Sequence, residues 1–222
     1  ATVLIDIRTL LDTSAEEHGC LLCRFTTGWT QSNIQAWAQL LLPWSRTQEP
    51  FSLSLLEVGS WEGQSALWFA KNLQPKLITC VDTWQGGVDH LTPLHSSLLP
   101  DLEARFDHNI KASQLSSRTT IEKRKGYSDY MLADLLSERR RYDLIYIDGA
   151  HTTMAVLADA VMALRMLTVG GYLIFDDWNW KDDVHETHLF LTRLTSEVLE
   201  RVYPCASSQG CFRKTTLLPS EI

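Results

Sequence analysis

The segment Glu57–Ser65 has the composition of a tight ligand-binding turn. Gly59 and Gly63 let the backbone turn sharply and approach a ligand at the start of a helix. The segment does not fit the GxGxxG pattern for a pyrophosphate, because Trp61 stands where the central glycine would be. The carboxylate of Glu57 would repel a pyrophosphate, whereas it suits a ligand that carries an ammonium group. The alternative is an ordinary glycine-rich turn of an α/β protein.

An acid at the end of the next predicted strand offers a second contact to the same ligand. Asp82 follows Gly63 by 19 residues, and an acid at this place typically accepts hydrogen bonds from ribose hydroxyls. A ribose, a cationic tail and no pyrophosphate together point to S-adenosylmethionine.

Three carboxylates and an imidazole stand at the ends of two later predicted strands. Asp148 and His151 follow one strand, and Asp176 and Asp177 follow the next. Neighbouring strands open on the same crevice, so we expect the carboxylates to converge and to raise one another's pKa. A divalent cation such as Mg²⁺ would relieve that repulsion, and His151 would be a suitable base for a substrate hydroxyl. Taken singly, Asp177 is better explained as a helix N-cap and His151 as a loop histidine, but the joint pattern favours a site.

Alternating strand and helix patterns surround these residues. Short apolar runs predict strands, and apolar residues at intervals of three and four predict helices between them. The alternation predicts a doubly wound, Rossmann-like α/β fold with helices on both faces of a parallel sheet. We expect residues 1–50 to form a helical N-terminal extension and residues 51–222 the ligand-binding domain. The predicted strands are 53–58, 77–81, 119–123, 142–147, 172–175 and 211–215, and the predicted helices lie at 66–73, 132–136, 154–164 (stopping before Gly170) and 189–199.

A long irregular stretch, Trp84–Pro100, interrupts this alternation. It leaves the carboxyl end of the second strand, so a lid or substrate loop and a plain surface insertion are about equally favoured. Tryptophans cluster near the strand ends, which predicts a crevice lined with indoles. We expect Trp61, Trp84, Trp178 and Trp180 to face that crevice, with Trp29, Trp37 and Trp44 over it or beside it.

Composition and charge restrict the class of protein. A net charge of −7 argues against a general nucleic-acid binder, and no apolar run approaches the ~20 residues of a membrane span. The N-terminus lacks the layout of a signal peptide, so we expect a cytoplasmic protein. Cys20 and Cys23 have no second pair at zinc-finger spacing, and we expect all five cysteines to be reduced thiols rather than disulfides.

The ordered set of these motifs, with Gly126-Tyr127-Ser128 between them, resembles the class I S-adenosylmethionine-dependent methyltransferases. It is most similar to their metal-dependent branch, which includes the catechol and macrolide-sugar O-methyltransferases, and the resemblance covers about residues 50–216. It implies a seven-stranded sheet with a reversed last strand. It also implies a metal, usually Mg²⁺, on Asp148, Asp176 and Asp177, and a base at His151. The cofactor contacts we predict are Glu57, Gly59, Ser60, Trp61, Gly63, Ser65, Asp82, Thr83, Trp84, Tyr127, Ser128 and Asp148.

The resemblance leads to one leading function and leaves two alternatives. The leading function is methyl transfer to a hydroxyl of a small molecule, with Asp148 and His151 as catalytic residues. The first alternative is a metal-dependent oxygenase of the cephalosporin hydroxylase type, which would need a second histidine at the metal. The second is a binding module that retains the fold without the reaction. The acceptor and the formation of a homo-oligomer stay open.

Overall fold

A computed structural model of the chain describes residues 20–218, apart from 88, 89, 91, 93, 94, 116 and 181. The helical pattern expected in the first nineteen residues therefore lies outside the described residues. The six α-helices and seven strands among the described residues, with one 3-10 turn at Ser96–Leu98, are α1 Gln31–Ser45, β1 Ser54–Val58, α2 Gln64–Leu73, β2 Leu77–Asp82, α3 Leu102–Ala112, β3 Thr120–Lys125, α4 Ser128–Ser137, β4 Tyr142–Ile147, α5 Thr153–Met166, β5 Leu167–Phe175, α6 Asp182–Thr195, β6 Leu199–Arg201 and β7 Gly210–Lys214.

The seven strands form one sheet in the order β3-β2-β1-β4-β5-β7-β6. Strands β1–β5 run parallel to one another, while β7 runs antiparallel to both β5 and β6. The doubly wound fold and the reversed last strand are confirmed. The strand order changes direction between β1 and β4, and ligands bind at such a switch point in open α/β sheets.

Both faces of the sheet are buried because each central strand is apolar on both sides. Alternate residues of β1 and β4 go to opposite faces, since side chains in a strand alternate. Leu55 and Leu144 belong to the core on one face, and Leu56 and Ile145 belong to the core on the other. Near-continuous apolar runs therefore predicted these strands well.

Helix α1 packs on one face of the sheet. Its Trp37 is 1% exposed and lies against Phe69, with the ring centroids 4.7 Å apart, and against Tyr146 at 5.3 Å. The Trp37 indole N–H donates to Gln209 Oε1 at 3.0 Å. The helical N-terminal region thus reaches the sheet beneath the crevice.

Several element boundaries differ from the sequence prediction. The predicted helix 154–164 is α5, which ends at Met166 and so stops before Gly170 as expected, but Gly170 itself lies inside β5, at a shift of register between β4 and β5. The predicted helix 189–199 overlaps both the end of α6 and the short strand β6, and α3 was not predicted. Helix α3 carries little periodic signal because only two of its buried residues, Leu102 and Phe106, are apolar.

The prediction of reduced cysteines is wrong for four of the five. Cys20 is bonded to Cys23, and Cys205 is bonded to Cys211. A turn closed by the Cys23 N–H on the Cys20 carbonyl brings the first pair together, and the loop between β6 and β7 does so for the second. Their Cα separations of 5.4 and 5.8 Å suit disulfides. The cysteines therefore give no support to a cytoplasmic location.

No helix in the described part of the chain combines the length and the apolar character needed to cross a bilayer.

Candidate functional site

Backbone hydrogen bonds hold the carboxyl ends of the central strands in line. The Gly59 N–H donates to the Val81 carbonyl, and the Asp148 N–H donates to the Val58 carbonyl, both at 2.8 Å. The Asp176 N–H donates to Ile147 at the same distance. The first turn, Asp82 and the later acids therefore lie at the same carboxyl edge of the sheet.

The turn after β1 needs glycine at its first position. Gly59 has φ +87°, and a Cβ there would lie 1.8 Å from the carbonyl oxygen of Asp148. Only a residue without a side chain allows this approach between the ends of β1 and β4. The turn then closes with the Gly63 N–H on the Ser60 carbonyl at 2.7 Å, and α2 begins at Gln64.

The Asp82 carboxylate accepts hydrogen bonds from the two loops that follow β1 and β2. Its Oδ2 accepts the Trp61 backbone N–H at 2.8 Å, and its Oδ1 accepts the Trp84 N–H at 2.6 Å. The Trp84 indole N–H donates back to the Trp61 carbonyl at 2.9 Å. Burial raises the pKa of Asp82, although these backbone hydrogen bonds oppose the rise.

Glu57 is a buried acid below the turn. It is 1% exposed, and the Cys80 thiol approaches its Oε2 at 3.7 Å. Burial raises the pKa of Glu57 to about 7, against hydrogen bonds from Ser65 and Ser60 that lower it. At neutral pH this carboxyl is poised between its neutral and charged forms, so a cationic ligand group would favour the charged one.

An acid–imidazole cluster lies at the ends of β4 and β5. One potential ligand atom from each of Asp148, His151 and Asp177 lies within 4.8 Å of the other two. His151 Nε2 is 2.8 Å from Asp177 Oδ2. The pKa of Asp148 is raised well above its usual value, first by burial and then by the charges of Asp176 and Asp177. Asp177 is not the N-cap of α6, which begins at Asp182.

Asp176 lies beside this cluster, but its carboxylate accepts hydrogen bonds from other residues. Its Oδ2 accepts a short hydrogen bond from the Tyr146 hydroxyl and one from Asn33 Nδ2 at 3.0 Å. The Tyr146 hydroxyl is also 3.3 Å from Asp148 Oδ2. Tyr146 could have been found from the sequence, because residues two apart on a strand share a face. Asn33 carries no such signal, since it lies 143 residues away from Asp176.

Residues 20–30, which include Trp29, lie over the first turn. The Trp29 and Trp61 ring centroids are 5.4 Å apart, and Trp61 stacks on His90 at 4.6 Å. Buried Glu62 anchors the segment, because it accepts Thr26 N–H at 2.7 Å and pairs with Arg105 at 2.5 Å. The N-terminal segment and the loop after β2 therefore meet above the turn.

The expectation that four indoles face the crevice is wrong for Trp84 and Trp178. Trp178 is 3% exposed and stacks on His188 in the core, with the ring centroids 4.3 Å apart. Trp84 is equally buried, against Phe106. Trp61 and the exposed Trp180, whose ring centroid is 5.8 Å from that of His151, remain at the crevice. The two buried rings belong to the cores on opposite faces of the sheet, Trp84 to one and Trp178 to the other.

The remaining predicted cofactor residues lie near the same carboxyl edge of the sheet. Ser65 is buried in the first turn of α2, and Ser128 begins α4 after the largely exposed Tyr127. The Gly126 N–H donates to the Asp82 carbonyl at 2.9 Å, which places the start of α4 next to the end of β2. Thr83 Oγ accepts the Gln85 N–H at 3.2 Å.

This sheet order with a reversed last strand, and this glycine turn followed by an acid, define the class I methyltransferase fold. Residues 56–178 match a family model described as a methyltransferase domain. The chain belongs to this methyltransferase domain family, which confirms the class of enzyme that the motifs predicted.

Comparisons with individual proteins agree on the fold. An uncharacterised protein of Acanthamoeba polyphaga mimivirus is 25% identical over 134 residues, which are 60% of this chain; the chain spans about half the length of that relative (55%). The O-methyltransferase NovP shares 17% identity, with a TM-score of 0.57 over 75% of this chain and 73% of NovP. The MycE methyltransferase of mycinamycin biosynthesis, solved with Mg and SAH, shares 14% identity, with a TM-score of 0.52 over 81% of this chain and 48% of MycE.

Proposed function

We propose that the chain is an S-adenosylmethionine-dependent O-methyltransferase that acts, with a divalent cation, on a hydroxyl of a small molecule. The observation that carries the proposal is the grouping of Asp148, His151 and Asp177 within 4.8 Å, next to the glycine turn. Family membership supports the reaction class. The similar folds of NovP, an O-methyltransferase, and of MycE, solved with Mg and SAH, support the finer statement.

The crevice offers groups that fit S-adenosylmethionine. Glu57 would face the cationic amino acid end of the cofactor, and Asp82 would accept the ribose hydroxyls. The Trp61 indole N–H is buried and has no acceptor among the described residues, and we assign it to the cofactor as a donor. The other contacts that we propose for the cofactor are Ser60, Ser65, Thr83, Trp84, Tyr127, Ser128 and Asp148.

The acid cluster fits a divalent cation. Burial first, and then the charges of Asp176 and Asp177, raise the pKa of Asp148, and oxygen ligands are those that Mg²⁺ prefers. We assign Asp148, Asp176 and Asp177 to the cation, although Asp176 must then share its Oδ2 with Tyr146 and Asn33. A bound cation would supply positive charge that lowers the pKa of the acceptor hydroxyl.

His151 is the proposed base. It would take the hydroxyl proton on one imidazole nitrogen, and Asp177, 2.8 Å from Nε2, would stabilise the resulting imidazolium. S-Adenosylmethionine, when bound, would supply the methyl group. The acceptor oxygen would form the new C–O bond as the S–C bond breaks, and the sulfur would keep the electron pair. The chain's main contribution is to align the two reactants.

Methyl transfer to a panel of catechols, polyphenols and sugars tests the proposal. We expect turnover that is lost in EDTA and restored by Mg²⁺, and that falls at least about 100-fold in Asp148→Asn, Asp177→Asn and His151→Gln. Asp134→Asn, on the exposed side of α4, is the matched control and should behave as wild type. Normal turnover in EDTA, or in both aspartate variants, would remove the cation from the proposal.

The hydroxylase alternative is less well supported. It needs two histidines and one carboxylate, and the described cluster holds one histidine. His185 and His188 both direct Nδ1 to the Trp178 carbonyl, at 3.1 and 3.3 Å. Metal analysis of protein purified without added iron separates the two functions. A binding module would instead bind the cofactor and give no product with any acceptor.

A further inference from the structure

The β6–β7 loop, residues 202–209, lies next to the acid cluster, and the mechanism above does not use it. Strand β7 runs antiparallel to β5, with Gly210 opposite Phe175. The next residue of each chain continues this register, so the last residue of the loop, Gln209, comes opposite Asp176. The loop therefore ends beside one of the three acids assigned to the cation.

Main-chain contacts fix the loop to the segment that directly follows the two acids of β5. The Trp178 N–H donates to the Ser208 carbonyl at 2.7 Å, and Asn179 Nδ2 donates to the Ser207 carbonyl at 3.2 Å. The fit is close, because a Cβ on Gly210 would lie 2.1 Å from Trp178 Cε3. A displacement of the loop would therefore also disturb the end of β5.

Two side chains connect the loop with Asp176 itself. The Ser208 hydroxyl donates to Asn33 Oδ1 at 3.4 Å, and Asn33 Nδ2 donates to Asp176 Oδ2 at 3.0 Å. Gln209 is buried, and its Oε1 accepts the Trp37 indole N–H at 3.0 Å. Its NH₂ meets no acceptor within hydrogen-bond distance among the described residues. Burial raises the pKa of Asp176, and the Gln209 side chain is one of the groups that oppose the rise.

The Cys205–Cys211 disulfide closes the segment that carries Ser208 and Gln209. Cys211 is buried in β7, whereas Cys205 is partly exposed and so within reach of a reductant. Inside the ring, the Gln209 N–H donates to the Ala206 carbonyl at 2.9 Å. A cross-link across so short a segment restricts the conformations that are open to it.

We propose that the β6–β7 loop positions Asp176 for the cation, with Gln209 as the positioning residue, and that reduction of Cys205–Cys211 weakens cation binding. This inference rests on the proposed function. In the reduction, a dithiol passes two electrons and two protons to the S–S bond, two cysteine thiols form, and the dithiol leaves as its own disulfide. The freed segment no longer holds Gln209 opposite Asp176. Groups that orient a metal ligand from outside typically change metal affinity about 10- to 100-fold.

Mn²⁺ binding, followed by the loss of the free-ion signal in electron paramagnetic resonance, tests the inference without turnover. Mn²⁺ takes the same kinds of oxygen ligand as Mg²⁺. The starting protein is Cys20→Ala/Cys23→Ala, which leaves Cys205–Cys211 as the one disulfide in the described part of the chain. Reduction with dithiothreitol, which is removed before Mn²⁺ is added, should weaken Mn²⁺ binding at least about tenfold. Reoxidation should restore it.

Gln209→Ala tests the positioning residue while both disulfides stay intact. It should also bind Mn²⁺ at least about tenfold more weakly. Gln35→Ala, on the exposed side of α1, is the matched control and should bind as wild type. S-adenosylhomocysteine has its proposed contacts outside the loop, so its affinity should change less than twofold in Gln209→Ala and on reduction. A general loosening of the fold would weaken both ligands.

Mn²⁺ affinity that stays within twofold after reduction, or in Gln209→Ala, overturns the inference, and so does an equal loss of both ligands. If Cys20→Ala/Cys23→Ala does not fold, Gln209→Ala decides alone by the same limits. An oxidised wild type that binds no Mn²⁺ overturns the cation in the proposed function together with the inference, so the two failures are distinguishable.

Discussion

Replacing Glu57 by Gln should stabilise the chain at alkaline pH and not at acid pH. Glu57 is fully enclosed below the glycine turn, and burial holds its pKa at about 7, against an ordinary value of 4.5. The folded state thus retains a proton that the unfolded state loses. The contribution of Glu57 to stability must therefore fall as pH rises from below 4.5 to above 7.

The size of the effect follows from the same two pKa values. One pKa unit corresponds to about 1.4 kcal/mol, so keeping Glu57 charged costs the folded chain about 3 kcal/mol above pH 7. Gln is neutral at every pH and nearly the same size. The free energy of unfolding of Glu57→Gln, relative to wild type, should rise by about 2.5 kcal/mol between pH 5 and pH 8.

Urea unfolding of the ligand-free chain at the two pH values measures this difference. Glu62→Gln is the control with the opposite sign. Glu62 is equally buried, but Thr26 and Arg105 satisfy its carboxylate, so its loss should destabilise the chain. An advantage of Glu57→Gln that stays constant or shrinks from pH 5 to pH 8 would refute the reasoning.

Three further predictions concern other parts of the chain. Mass spectrometry after alkylation of the unfolded, unreduced chain should find one modified cysteine, Cys80, and five after reduction; five without reduction would contradict the two disulfides. Asn33→Ala removes a buried donor to Asp176 and should lower stability by about 1–3 kcal/mol in urea unfolding, whereas an unchanged midpoint would show that the contact is unimportant. Gly59→Ala should lose at least about 3 kcal/mol or fail to fold, because its methyl group would overlap the Asp148 carbonyl; near-wild-type stability in circular dichroism melting would contradict that geometry.

The central strands could be predicted from the sequence because burial on both faces leaves a plain apolar signal. Residues 142–147 form β4 as predicted. The pattern at β3 was weaker since it is an edge strand, where Lys123 and Arg124 form ion pairs with acids of neighbouring helices. Strand β6, with three residues, is too short to show a period.

The candidate site could be predicted where it follows strand ends and not where distant segments meet. The order of the strands is enough to place the acids that follow β1, β2, β4 and β5 at one edge of the sheet. The contacts of Asn33 with Asp176 and of Trp29 with Trp61 depend instead on how the N-terminal region packs.

Binding of S-adenosylhomocysteine to the purified chain tests the central claim most directly. Trp61 and Trp29 lie at the glycine turn, so calorimetry and intrinsic fluorescence should report the same saturable 1:1 binding. Asp82→Asn, which alters the proposed ribose contact, should weaken it at least about tenfold. A folded wild-type chain that shows neither heat nor a fluorescence change up to millimolar ligand would contradict the account.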